Sequence, residues 1–147
     1  MRILLAVDDS KFSEAAVREV AERGHTADSE ARVLTVVEPM PVPADGQVWG
    51  FALDMNAIQE EQKKAAQELV AGAADTLRRA GWKVSTAVET GDPKSSILDQ
   101  AKEWKADLIV VGSHGRRGLD RFLLGSVSEA VARHARCSIE IVRIPSP

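Results

Sequence analysis

The residues of this chain best suited to chemistry are Gly112-Ser113-His114-Gly115, nine further residues, and then Gly125-Ser126-Val127-Ser128-Glu129. An apolar run, Leu108-Ile109-Val110-Val111, leads into them, and a helix-forming stretch follows. Glycine lets a backbone approach a bound group closely, and a helix start offers free N–H groups at the positive end of its dipole. Glycines leaving a strand and hydroxyls entering a helix therefore describe a cradle for a phosphate, and with it a nucleotide. The segment is not a Walker loop, which needs Lys-Ser or Lys-Thr after its second glycine; no lysine follows Lys105. Nor is it the dinucleotide fingerprint, because Gly112, Gly115 and Gly118 are each three apart. Ser126 to Glu129 fits a capping box, with Ser126 as the N-cap. The plainer alternative is that the glycines serve a turn and Ser126 only caps a helix.

Other reactive side chains carry weaker signals. Asp8-Asp9 follows the first apolar run. A response-regulator receiver would carry such a pair, but would also need an aspartate ending strand three and a lysine ending strand five. Val88-Glu89 and Arg143 stand at those places. Arg116, Arg117 and Arg121 could reach a terminal phosphate; a solvated stretch is the preferred reading. His114 has a side chain that titrates near neutrality, yet no partner for it is identifiable, so a structural role is preferred to catalysis. His25 and His134 fall near helix ends, where capping or a dipole contact is the default. Cys137 is expected to pack as a small apolar group.

These residues need a scaffold, and the chain supplies it by alternation. Ile3 to Val7, Val33 to Val37, Leu108 to Val111 and Ile139 to Ile144 read as strands, with Trp82 to Val88 as a further one nearer an edge. Between them lie helices. Ser10 to Arg23 has Ser10 or Ser13 to cap it and Gly24 to end it. Asp54 to Ala80 carries Ile58, Ala65, Leu69, Ala73, Leu77 and Ala80 near one face, with Gly81 as its stop. Asp92-Pro93 opens a helix running through Trp104. Ser126 to Ala135 is the last. The order β-α-β-α-β-α-β-α-β predicts one α/β domain over residues 1–147, an open five-stranded parallel sheet with helices on both faces. Residues 38–53, with three prolines in Pro39 to Pro43, break the pattern; a surface loop is preferred to a lid. In such sheets ligands sit beyond the carboxyl ends of the strands, where strand order reverses. The loops after strands one and four carry the useful chemistry, and they cooperate only if those strands are neighbours.

Composition excludes several partners. With 147 residues, 44% hydrophobic and 28% charged, the chain is an ordinary globular domain. A net charge of −3 gives no footprint for nucleic acid or an anionic membrane. The apolar runs are too short to span a bilayer, and Asp8-Asp9 interrupts the first before it could serve as a signal peptide. One cysteine and no export signal lead to the expectation of a cytoplasmic protein.

Gly112-x2-Gly115-x9-Gly125-Ser126 resembles the G-2x-G-9x-G-S/T motif of the universal stress protein family. Val7-Asp8-x-Ser10, Gly91-Asp92-Pro93 and the closing Ile139 to Arg143 are similar as well, so the resemblance covers essentially the whole chain. It implies strand order 3-2-1-4-5, which makes strands one and four neighbours. Members keeping the motif typically bind ATP, and this sequence keeps every position. Carried over by position, Gly112, Gly115 and Gly125 line the phosphates and ribose. Ser126 and Ser128 give hydroxyls, and Val127 its backbone, to the phosphate chain. Asp8 faces the adenine or ribose side, Ala6, Val7 and Val36 bound the adenine pocket, and Val111 completes the contacts. Asp9 departs from the glycine frequent there. Mg²⁺ accompanies ATP without a dedicated protein site. The resemblance further implies a homodimer through strand 138–143, whose exposed apolar edge invites pairing. The expected function is a nucleotide-dependent switch on a protein partner in stress response or signalling, with no catalytic residue assigned. A nucleotide-independent dimeric interaction protein and a slow ATPase are the alternatives.

Overall fold

The computed structural model describes residues 1–39, 51–115 and 124–145, with residues 51–54 described by their backbone. Nine elements alternate along them: β1 (Arg2–Ala6), α1 (Lys11–Glu22), β2 (Glu30–Val37), α2 (Phe51–Arg79), β3 (Lys83–Thr90), α3 (Pro93–Trp104), β4 (Leu108–Gly112), α4 (Ser126–His134) and β5 (Ser138–Val142). All four strand pairings are parallel, in the order β3-β2-β1-β4-β5. The chain winds outward from β1 to β3, crosses to β4 on the other side of β1, and ends at β5. Order reverses between β1 and β4, so the loops leaving their carboxyl ends lie side by side.

Period-two alternation explains why the apolar runs are continuous. Ile3 and Leu5 of β1, and Val7 beyond it, pack with Ala16 and Val20 of α1 and with Val70, Ala74 and Leu77 of α2. Leu4 points the other way, toward Ile97 and Ala101 of α3 and Val131 of α4. Val110 and Ile109 divide β4 between the same two faces. A strand covered on both faces needs apolar side chains at every position.

The helix ends fix where the loops begin. Ser10 caps α1 by accepting from the Ser13 N–H. Asp92 caps α3 ahead of Pro93, with the Ser95 N–H and hydroxyl both donating to its Oδ2 at 3.0 Å. Those two bonds, the backbone one foremost, hold the Asp92 carboxyl below its usual value. Gly81 closes α2 at φ +94: its N–H donates to the Arg78 carbonyl, and the Trp82 N–H to the Leu77 carbonyl, the paired bonds of a Schellman turn.

Several expectations change. Ser126 is the first helical residue of α4, and Gly125 is its N-cap, with no side-chain cap bond among the described residues. Glu129 pairs with Arg133 one turn on (2.9 Å), so the capping box does not form. Gly24 does not end α1 in a left-handed turn; Arg23 does so in extended conformation, and its guanidinium pairs with Glu140 of β5. Ile58 and Ala65 are exposed, because the buried face of α2 is centred on Met55, Ala66, Val70, Ala74 and Leu77 and they lie to one side of it. Trp82 precedes β3 and is buried, its indole N–H donating to the Val20 carbonyl at 3.1 Å. His25 stacks on that indole at 4.5 Å, and its Nδ1 lies 3.4 Å from the carbonyl of Arg23, the C-cap of α1. β2 begins three residues early, at Glu30, and β5 ends at Val142. Cys137 packs with the α3/α4 core. Most of the loop expected at 38–53, Trp49 and the three loop arginines lie outside the described residues.

Candidate functional site

β1 and β4 each hand over to one half of a cleft. After Ala6 the chain runs through Val7, Asp8 and Asp9 to the cap of α1. Asp8 is clamped. Its N–H donates to Ser13 Oγ at 2.8 Å, and that hydroxyl donates back to Asp8 Oδ1 at 2.9 Å. The Ser10 N–H donates to the same oxygen at 2.9 Å. The other oxygen, Oδ2, lies 3.0 Å from where a Cβ on Gly115 would stand.

The glycines of the second half are placed for two different reasons. A Cβ on Gly112 would lie 2.8 Å from both the carbonyl carbon and the Cβ of Phe12. One on Gly125 would lie 3.1 Å from His114 Cα, and the Gly125 N–H donates to the Ser113 carbonyl at 2.9 Å. At these two positions the close approach is of the chain to itself. Gly115 instead clears the Asp8 carboxylate. His114 is buried against the Phe12 ring, with Nδ1 3.0 Å from Ser113 Oγ.

α4 starts at this point. Its first three N–H groups, those of Ser126, Val127 and Ser128, belong to a helix start without a side-chain cap among the described residues. That leaves partial positive charge on one wall. The Ser128 hydroxyl was expected to donate to a phosphate; it donates at 2.7 Å to the Gly112 carbonyl instead. A hydroxyl has one proton to give, so the donor that Ser128 can turn outward is its backbone amide.

The space between the halves is continuous. A small apolar cavity of about 90 Å³ is bounded by Ala6, Val7, Leu34, Val36, Ile97 and Val111, with Asp8, Ser13, Gly112, His114, Gly115, Val127 and Ser128 at its rim. It shares Asp8, Val36, Gly115, Val127 and Ser128 with a wider cleft of about 1030 Å³ reaching α2 and the start of α3. Gly125 and Ser126 line that cleft. All eleven residues singled out from the sequence therefore border one connected space. Val36 borders both parts, and Val37 only the wider one. Leu34 and Ile97 were missed because each reads as ordinary core at its own strand or helix period. Ser13 was read only as a candidate cap. The described lining residues include the carboxylates of Asp8, Asp9, Glu38, Glu68 and Asp92 and the ammonium of Lys94.

This is an α/β domain of the doubly wound class with a cleft at its switch point. The chain matches the model of the universal stress protein family over residues 1–143, and it belongs to that family. It is 33% identical over 147 residues to universal stress protein MJ0531 of Methanocaldococcus jannaschii, covering 98% of this chain and 82% of that protein. It is 30% identical over 154 residues to universal stress protein Sll1388 of Synechocystis, covering 97% of each. Among solved structures, the hypothetical protein MJ0577 shares the fold at TM-score 0.83 and 24% identity, over 99% of this chain and 97% of that one. A universal stress protein in complex with cAMP aligns at TM-score 0.62 and 25% identity, over 97% and 96% of the two chains. A family protein from Arabidopsis thaliana with AMP bound aligns at TM-score 0.72 and 21% identity, over 99% and 93%. No helix among the described residues is long and apolar enough to cross a membrane.

Proposed function

We propose that this chain binds an adenine nucleotide, ATP with Mg²⁺, in the cleft between β1 and β4, and that occupancy acts on a protein partner in a cytoplasmic stress or signalling response. One observation carries the reading: an apolar cavity sized for part of a flat base opens directly onto a helix start whose amides have no side-chain cap. A base burying its faces against Ala6, Val7, Val36 and Val111 gains hydrophobic contact. Its phosphates then reach the amides of Ser126, Val127 and Ser128. The complexes of similar proteins with AMP and cAMP support an adenine ligand. Carboxylates in the lining, those of Glu38, Glu68 and Asp92 among them, support a divalent cation with the phosphates. Mg²⁺ there would keep mostly phosphate and water ligands.

A homodimer through β5 belongs to the same reading. β5 pairs only with β4 among the described strands, and its Ile139 and Ile141 are half-buried. An apolar edge of this kind favours pairing with a second copy. Light scattering of Ile141→Pro should give half the mass of the wild type; an unchanged dimer mass rejects this interface.

The nucleotide is tested by mass spectrometry of the denatured protein, followed by calorimetric titration with ATP and Mg²⁺. Saturable binding that Gly115→Trp abolishes is the expected result, because the indole would fill the space beside Asp8. No ligand and no binding would leave a nucleotide-independent dimeric interaction protein as the better reading. Turnover above blank, lost in a site variant, would add slow ATP hydrolysis.

A further inference from the structure

We infer that Ser13 is a positioning residue: through its hydroxyl it aims the free oxygen of Asp8 at the ribose hydroxyls of the bound nucleotide, and so makes the cleft selective for an intact ribose. The inference rests on the nucleotide reading above and goes one step past it. The side chain of Ser13 has no charge and, at 6% exposure, very little surface to offer a ligand. It works through Asp8.

The geometry runs as a closed loop. Ser13 Oγ accepts from the Asp8 N–H and donates to Asp8 Oδ1, and the Ser10 N–H donates to Oδ1 as well. Oδ1 is therefore engaged twice within the protein. With χ1 and χ2 fixed by these bonds, Oδ2 points across the cleft toward Gly115, where the missing Cβ leaves it room. A carboxylate only accepts hydrogen bonds. It repels phosphate, and an uncharged neighbour must meet it with donors. Asp8 and Gly115 are among the residues that border both the small apolar cavity and the wider cleft, so they mark the junction of the two. With the base in the cavity and the phosphates at α4, the group spanning that junction is the sugar, whose 2′ and 3′ hydroxyls are donors.

Ser13 holds this arrangement from two sides. Its loss frees Oδ1 on one side and leaves the Asp8 N–H without its acceptor on the other. The carboxylate then has other rotamers open to it, and the ribose contact weakens while base and phosphate contacts stay.

The test compares ATP with 2′,3′-dideoxy-ATP by calorimetry in the presence of Mg²⁺. Wild type should prefer ATP by about tenfold or more, in line with one hydrogen bond to a charged acceptor. Ser13→Ala should lose most of that preference, binding ATP about five times more weakly and the dideoxy analogue within about twofold of wild type. Ser13→Cys keeps the side-chain volume with a weak donor and should behave the same way if the alanine variant does not fold. Equal weakening of both ligands would reduce Ser13 to a structural role and overturn the inference. So would a wild type that binds both ligands equally, although nucleotide binding itself would then stand. A wild type that binds neither would overturn both.

Discussion

Gly112 at the end of β4 and Phe12 in the first turn of α1 are packed so tightly that a single methyl group does not fit between them. The Cβ it would add falls 2.8 Å from Phe12 carbonyl carbon and Cβ, backbone and near-backbone atoms that cannot swing aside. Gly112→Ala should therefore destabilise the fold by roughly 1–3 kcal/mol through overpacking. Gly72 provides the contrast. It lies within α2, where a Cβ would meet nothing within 4 Å, so Gly72→Ala should stabilise by about 0.5–1 kcal/mol through helix propensity. Urea denaturation of both variants decides the point. Equal effects would mean that α1 slides on β4 freely enough to admit the methyl group.

The Ser128 hydroxyl separates two views of the helix start. It donates to the Gly112 carbonyl, so its contribution is to tie α4 to the end of β4. Ser128→Ala should lower stability by about 1 kcal/mol, the net worth of one hydrogen bond. ATP affinity should stay within about threefold, since the amide remains in place. A loss of more than tenfold in affinity with unchanged stability would return the hydroxyl to the phosphate.

Much of this was legible in the residues before any coordinate. The central strands β1 and β4 show as short apolar runs because both their faces are covered, while β3, at an edge, shows as an alternating run with no fully buried side chain. The alternation with helices gave the parallel sheet. The strand order that brings Asp8 beside Gly115 did not follow from spacing; it came with the motif from Gly112 to Ser126. What stayed hidden were interactions set by tertiary approach. The S-x-x-E pattern at Ser126 promised a cap, but Gly125 takes the cap position, anchored by its own N–H on the Ser113 carbonyl. Ser13 looked like a helix cap, and nothing local shows that its hydroxyl would bridge the amide and carboxylate of Asp8. The periodicity of α2 suggested Ile58 as buried, yet the face that packs is turned toward Met55, Ala66, Val70 and Ala74, and the many alanines of this helix leave its apolar stripe too broad to fix that rotation.

The C-terminus of α3 was equally illegible, and it offers a stabilising change. Lys105 adopts the left-handed conformation at φ 57, the only positive φ at a non-glycine among the described residues. Its N–H caps the helix on the carbonyls of Ala101 and Lys102. Such a backbone costs an L-residue about 1–2 kcal/mol. Glycine removes that strain but adds about 0.5–1 kcal/mol of unfolded-state entropy. Lys105→Gly should thus gain about 0.5–1 kcal/mol in thermal or urea unfolding, while Lys105→Ala should gain nothing. A destabilised glycine variant would mean that the lysine side chain makes contacts worth more than the strain.

Asp92 gives the fold a pH dependence with a definite sign. Its carboxylate accepts from the N–H and hydroxyl of Ser95, and its pKa is lowered by those bonds. A group whose folded pKa lies below its unfolded value contributes fully above the unfolded value, about 3.9 for aspartate. It loses that contribution as pH falls through the folded value. Asp92→Ala should therefore be less stable than wild type at pH 7, with a gap that holds steady down to about pH 4 and narrows below it. Asp92→Asn keeps an acceptor without the titrating charge. Its advantage over Asp92→Ala should not change with pH. Chemical denaturation at a series of pH values measures both gaps. A wild-type-to-alanine gap that stayed constant to pH 2, or widened on acidification, would show that the capping bond does not depend on the carboxylate charge.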